Sequence, residues 1–224
     1  MEKLKQIGSK RIMMSVVGVM LCAISVGFFK FASFGVDPFQ SLMAGLDALV
    51  PIGFGTLYVI VNALLLLFAL FTDRHYIGIA TLINLFLLGY ITQFTLYLLN
   101  TAMPEPLFAV RVVFLVLGIA MICLALSLYM TADLGVSTYD AVALVMCNKW
   151  KIGKFRYDRI ATDIVCIIFG ICFYLLSGGK ISDITSIVGV GTLITAFFMG
   201  PLIEVFNEHF SKPLLNGRKA KRKE

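Results

Sequence analysis

The sequence predicts an all-α polytopic membrane protein: six transmembrane helices and two short helices, built from two three-helix repeats. Three observations support this. Of its 224 residues 59% are hydrophobic and 14% charged, with a mean hydropathy of +0.93, far outside the range of a water-soluble domain. Apolar runs of about 20 residues, each long enough to cross a ~30 Å hydrocarbon core, recur six times. The two halves of the chain also align with each other. Soluble enzymes, nucleic-acid binders and disordered scaffolds are excluded at once.

The chain opens on a basic N-terminus (1–11), expected in the cytoplasm. The apolar run beginning near Ile12 has no small-residue cleavage site after a short core, so it reads as a retained first helix. The expected spans are 12–34, 54–72, 76–99, 108–131, 157–177 and 185–206. They divide into a first membrane repeat (12–99) and a second (108–208), followed by a cytoplasmic basic tail (209–224). Asp37–Val50 and Ser137–Asn148 are apolar but short. At ~1.5 Å per residue neither comfortably crosses a bilayer alone, so they are expected as short helices, re-entrant or interfacial.

The net charge of +6 is a topology signal, because Lys and Arg concentrate at the N-terminus, between Lys149 and Arg159, and from Lys212 to Lys223. With six crossings and a cytoplasmic N-terminus, only Lys30, Arg111 and Lys180 fall outside. An eight-crossing arrangement, in which the short helices also span, exchanges only Arg74 and Arg111. Charge alone does not choose between them.

An offset of 100 aligns Arg11 with Arg111, Gly18 with Gly118, Ala32 with Ala132 and Gly35-Val36 with Gly135-Val136. An offset of 111 aligns the run from Ile77 to Asn84 with that from Val188 to Thr195, and Gly89 with Gly200. Each half is one unit: long helix, Gly-Val turn, short helix, long helix, long helix. Three crossings per unit invert the second copy, the plan of many secondary transporters. In agreement, Phe31–Asp73 contains no Lys or Arg, whereas five lie between Lys149 and Arg159. Four crossings per unit would instead make the repeats parallel.

Both short helices have start chemistry. Asp37 can act as N-cap, Pro38 suits the first helical position, and Gln40 stands where a capping-box partner belongs. Ser137 and Asp140 form an S-x-x-D box. Gly35 and Gly135 allow the sharp turns before them. These are either well-capped connectors or elements whose N-terminal N–H groups help form a site. Such ends favour anions, but Asp37 and Asp140 would repel one unless protonated or paired, so a cation, a proton-coupled ligand or an amine is equally compatible.

Charged groups at membrane depth default to functional hypotheses, and Asp163 is the strongest, with pairing to Arg159 one turn earlier as the structural alternative. Lys30 and Glu204 lie close enough to the interfaces to snorkel. Asn62, Asn84, Thr81, Thr192 and Thr195 are polar positions on apolar helices, where interhelical hydrogen bonds are the simpler explanation. Asn84 and Thr195 occupy equivalent places, as do Thr81 and Thr192. The candidate ligand-binding set is therefore Asp37, Gln40, Asn84, Asp140, Asp163 and Thr195.

Close helix packing accounts for Gly78, Gly89, Gly189 and Gly200, and interfacial belts account for most of the aromatics. The five cysteines read as small buried hydrophobes, with no disulfide or metal spacing. His75 and His209 stand at span ends. No catalytic pattern or cofactor motif is present, so an enzyme is not expected.

At Phe34-Gly-Val-Asp-Pro-Phe, Leu134-Gly-Val-Ser-Thr-Tyr-Asp-Ala and the Gly-x-x-Thr-Leu-Ile of both third helices, the chain resembles the YczE/YyaS/YitT group of bacterial membrane proteins, over about residues 10 to 208. The resemblance implies a bacterial plasma (inner) membrane protein with a transport or accessory role, and names no substrate. Asp37-Pro38 stands where the second copy has Ser137-Thr138, so the two half-sites are not chemically identical.

The expected function is a small transporter moving a small solute or ion through a site between the repeats. The alternatives are a substrate-binding subunit of a larger importer, or a membrane scaffold whose tail, Arg218 to Lys223, contacts anionic lipid. Expected partners are the bilayer, the small-molecule or ion substrate and a second copy in a homodimer, with no nucleic acid.

Overall fold

The computed structural model describes residues 8–153 and 155–216, without the side chains of His75, Asn148, Phe155, Arg156 and Asn216. The first residues of the basic N-terminus, Lys154 and the tail from Gly217 onward lie outside the described residues. The architecture is all-helical: α1 Ser9–Ala32, α2 Pro38–Leu49, α3 Phe54–Thr72, α4 Ile79–Ala102, α5 Phe108–Ala132, α6 Thr138–Asn148, α7 Phe155–Leu176 and α8 Val190–Phe206. Six helices are long and apolar enough to cross a membrane, the sixth running from Ile181 to Leu215 when its flanking turns are included.

The expected spans and short helices are all present, within a few residues. α1 stops at Ala32, short of the expected end, because Ser33 adopts left-handed backbone (φ 56). Asp133 does the same after α5 (φ 54). The last helix runs further than expected, through a π turn at Asn207–Ser211 and on to Asn216. Its inner face explains this: the hydroxyls of Ser127 and Ser211 lie 2.5 Å apart, and Thr131 donates to Asn207 at 3.1 Å. The segment after residue 208 thus begins as packed helix.

α1 and α5 form the centre and run antiparallel. At one end Arg11 donates to the Ala132 carbonyl at 3.2 Å; at the other the rings of Phe34 and Phe108 lie 5.5 Å apart. Gly18 lets them approach, since a methyl group there would come within 2.9 Å of the Ala125 carbonyl oxygen. α4 covers another side of α1, where Thr92 donates to the Ala23 carbonyl at 3.0 Å. α2 lies against α7 with Gly45 facing Gly170 backbone to backbone. Val145 stands 100 positions after Gly45, and beside α6 an apolar groove of about 380 Å³ remains, walled in part by Leu65, Val142 and Val165.

The Gly-Val turns tie the two halves together. Val36 donates to the Ile187 carbonyl at 3.2 Å and Gly191 to that of Phe34 at 2.8 Å. In the same pattern Val136 donates to Tyr76 and Ala80 to Leu134, both at 3.1 Å. Gly35 (φ +92) and Gly135 (φ +106) have no room for a side chain: it would overlap the backbone of Gly189 or Gly78 and the hydroxyl of Thr192 or Thr81. Those threonines fasten the turns. Thr81 accepts from Gly78 N–H at 3.2 Å and donates to Val136 at 2.7 Å, while Thr192 accepts from Gly189 N–H and donates to Ile187, both at 3.2 Å.

Gly89 packs closely, against Tyr58 and Gly55, but Gly200 does not: nothing lies within 4 Å of its Cβ position, and it borders an open cavity instead. Cys22, Cys123 and Cys166 are buried as expected, whereas Cys172 is exposed on the outer face of α7.

α2 and α6 do not lie along the surface. Phe39, Gln40 and Ser41 are buried, as are Tyr139, Asp140 and Ala141, and the Phe39 and Tyr139 rings stack at 4.8 Å. Each short helix starts beside the end of α1 or of α5. Because those two helices are antiparallel, α2 and α6 enter the bundle from opposite ends.

Candidate functional site

Where the two short helices meet, a small chamber of about 50 Å³ has polar groups contributed from α2 through α7. Its second-half wall is charged and fully partnered. The Asp140 carboxylate, 2% exposed, accepts the hydroxyls of Tyr129 and Ser137 at 2.6 Å each and an ion pair from Arg159. Arg159 also reaches Asp163 at 3.3 Å, and its guanidinium lies 4.5 Å from the Tyr139 ring centre. The Tyr139 hydroxyl donates to Asp163 at 2.6 Å. Arg suits this position because its planar fork serves two carboxylates and an aromatic face at once.

Ser137 caps α6 by accepting from the Asp140 N–H at 3.0 Å. The expected S-x-x-D box closes through the hydroxyl of Ser137, leaving the rest of the Asp140 carboxylate for Tyr129 and Arg159.

The first-half wall is dressed differently. Asp37 caps α2, accepting from Gln40 N–H at 3.3 Å, and among the described residues its carboxylate forms no ion pair. The box expected at Gln40 is not closed: the side chain is 3% exposed and its Oε1 has no donor. Residues at matching positions explain the difference. Phe29 stands 100 before Tyr129 and has no hydroxyl, while Tyr58 and Asn62 stand 101 before Arg159 and Asp163 and carry no charge. Tyr58 donates to Asn84 at 3.0 Å, and Asn62 accepts from Thr138 at 2.5 Å.

Of the six candidate residues, Asp37, Gln40, Asn84 and Asp140 line the chamber. Asp163 and Thr195 line an adjoining cavity of about 60 Å³ that shares Asp140 and Arg159 with it. Thr195 uses its hydroxyl on carbonyls of its own helix, Gly191 and Thr192, at 3.0 Å. Arg159 also borders a vestibule of about 430 Å³ that includes Glu204 and Lys212. The Lys30 ammonium lies 3.0 Å from the centre of the Phe54 ring.

Tyr58, Tyr129 and Tyr139 belong to the site although belts were expected to hold most aromatics. The one local signal was the position of Tyr139 beside Asp140 at a capped helix start. Among the described residues no group of three or more His, Cys, Asp or Glu is placed to hold a metal ion.

Fold and site together define a polytopic, apolar helical protein enclosing a polar chamber with a buried ion cluster. The chain belongs to a family of unknown function, DUF6198, which matches residues 9–208. It is similar to an uncharacterized protein of Haemophilus influenzae, 24% identical over 196 residues, covering 85% of this chain and 82% of that protein. No solved structure matches.

Proposed function

We propose that this protein is a small membrane carrier, not an enzyme, in which two inverted three-crossing repeats pass a small solute or ion through the central chamber. The observation that carries this reading is the wall shared by the small central chamber and the larger vestibule: the Arg159 side chain borders both. A guanidinium held by Asp140 and Asp163 acts as a gate, since re-pairing it would join the two spaces. The antiparallel α1 and α5, and the turn contacts repeated at offsets of 100 and 111, support the inverted plan. The doubled turns also support counting this chain with the YczE/YyaS/YitT group.

Vesicles containing the purified chain, tested with labelled rubidium, methylammonium, acetate and an amino-acid mixture, provide the test. Uptake of at least one probe above protein-free vesicles is expected, and Asp163→Asn and Asp140→Asn should lose it while still inserting. Uptake equal to empty vesicles for every probe, or undiminished in both variants, would refute the carrier reading and favour the importer-subunit or scaffold roles.

A further inference from the structure

We propose that the chamber binds a small monovalent cation, held at the first-half wall by the Asp37 carboxylate and the amide oxygen of Gln40. This deepens the carrier reading by naming what occupies its site.

Charge balance is the first support. Asp37 lines the chamber with Arg159 and lies within its field, while Arg159 itself is engaged by Asp140 and Asp163. Among the described residues Lys30 is the other cation whose field reaches Asp37, but its ammonium rests over Phe54 and is shared electrostatically with Asp47. Counting Lys30 fully still leaves three carboxylates against two cations. A buried negative charge without a counter-charge is strongly disfavoured, so the chamber calls for one more positive charge.

The second support is independent of charge. Gln40 is 3% exposed, lines the chamber, and its Oε1 accepts nothing. Its counterpart, Asp140, has Tyr129, Ser137 and Arg159 around it. Where the second half carries its own cation in Arg159, the first has uncharged Tyr58 and an acceptor without a donor. A buried acceptor left unmade is costly, and a ligand that donates hydrogen bonds or coordinates oxygen relieves it.

Size and ligand count set the class. A chamber of about 50 Å³ holds about four waters at the ~10–15 Å³ each needs, too little for an amino acid or a vitamin. Asp140 and Asp163 are committed to Arg159, and among the described residues no group of three or more His, Cys, Asp or Glu is placed to hold a metal ion, which argues against a divalent one. Sodium, potassium, ammonium and methylammonium remain, all served by one carboxylate and neutral oxygens.

The test is thermal unfolding of the purified full-length chain in mild detergent, replacing choline chloride with sodium, potassium, ammonium or methylammonium chloride at constant ionic strength. At least one cation should give a saturable rise in Tm. Asp37→Asn keeps a good helix cap and should weaken that binding about a hundredfold or more, as expected when one partner of a buried charge pair is removed. Gln40→Leu should weaken it about tenfold, in line with one lost hydrogen bond to a charged group, and it serves as the reporter should Asp37→Asn not fold.

No rise with any of the four cations, or a rise unchanged in the folded variant, would overturn the proposal. If a proton balances Asp37 instead, Asp37→Asn would melt no lower than the parent in choline and the parent would show no rise, which also overturns it. Cation binding that depends on Asp37 without vesicle uptake would keep this site and reject the carrier. Uptake with no Asp37-dependent binding would do the reverse.

Discussion

Burying a guanidinium between two carboxylates sacrifices several kcal/mol of hydration, recovered only where the geometry is close and the remaining polar atoms are satisfied. Arg159 meets that condition through Asp140, Asp163 and the Tyr139 face. Arg159→Ala leaves both carboxylates buried and unpaired, and should cost about 3–5 kcal/mol. Arg159→Lys keeps the charge but loses the fork, and should fall between that variant and the parent in detergent unfolding. Tyr139→Phe removes the donor to Asp163 and should cost about 1.5–3 kcal/mol, less than additively when combined with Arg159→Ala. An Arg159→Ala chain that melts with the parent would mean the cluster is not dry. The pairing of Asp163 with Arg159 was legible from one-turn spacing. The convergence of Tyr129, Tyr139 and Arg159 was not, because a tyrosine facing lipid and one facing a core have the same apolar neighbours in sequence.

Helix ends and turns, more than helix middles, decide how the elements assemble. Gly35→Ala and Gly135→Ala each combine left-handed backbone with an overlap against the opposite half, so neither should yield folded protein by size-exclusion chromatography. Gly178 has a similar φ (+86) but nothing within 4 Å, so Gly178→Ala should lose only the ~1–2 kcal/mol of backbone strain and elute normally. If all three behave alike, backbone freedom and not the close approach is what the turns need. Hydropathy found the span bounds because each helix is one apolar run between polar breaks. It could not tell whether α2 and α6 lie flat or enter the bundle: a capped helix of 12 residues presents the same pattern either way, and the stacking of Phe39 on Tyr139 is a contact between distant segments.

The antiparallel pairing of α1 and α5 bears on how the whole chain threads a bilayer. Helices at matching positions of two repeats run antiparallel only if each repeat crosses an odd number of times, so this geometry supports the six-crossing plan over the eight-crossing plan that the charges left open. The loops around Ile52 and Ile152, both exposed, then fall on opposite sides. Single cysteines placed there, Ile52→Cys and Ile152→Cys, in a chain whose exposed Cys172 is changed to Ser, should react with an impermeant maleimide from opposite faces of sealed vesicles. With four crossings per repeat both would react from the same face. That result would also place the starts of α2 and α6 on one side and leave the chamber between them without access from both faces. Opposite labelling would give each short helix its own side of the membrane, so the two differently charged walls of the chamber, Asp37 with Gln40 and Asp140 with Arg159, would each face a different compartment when the bundle rocks.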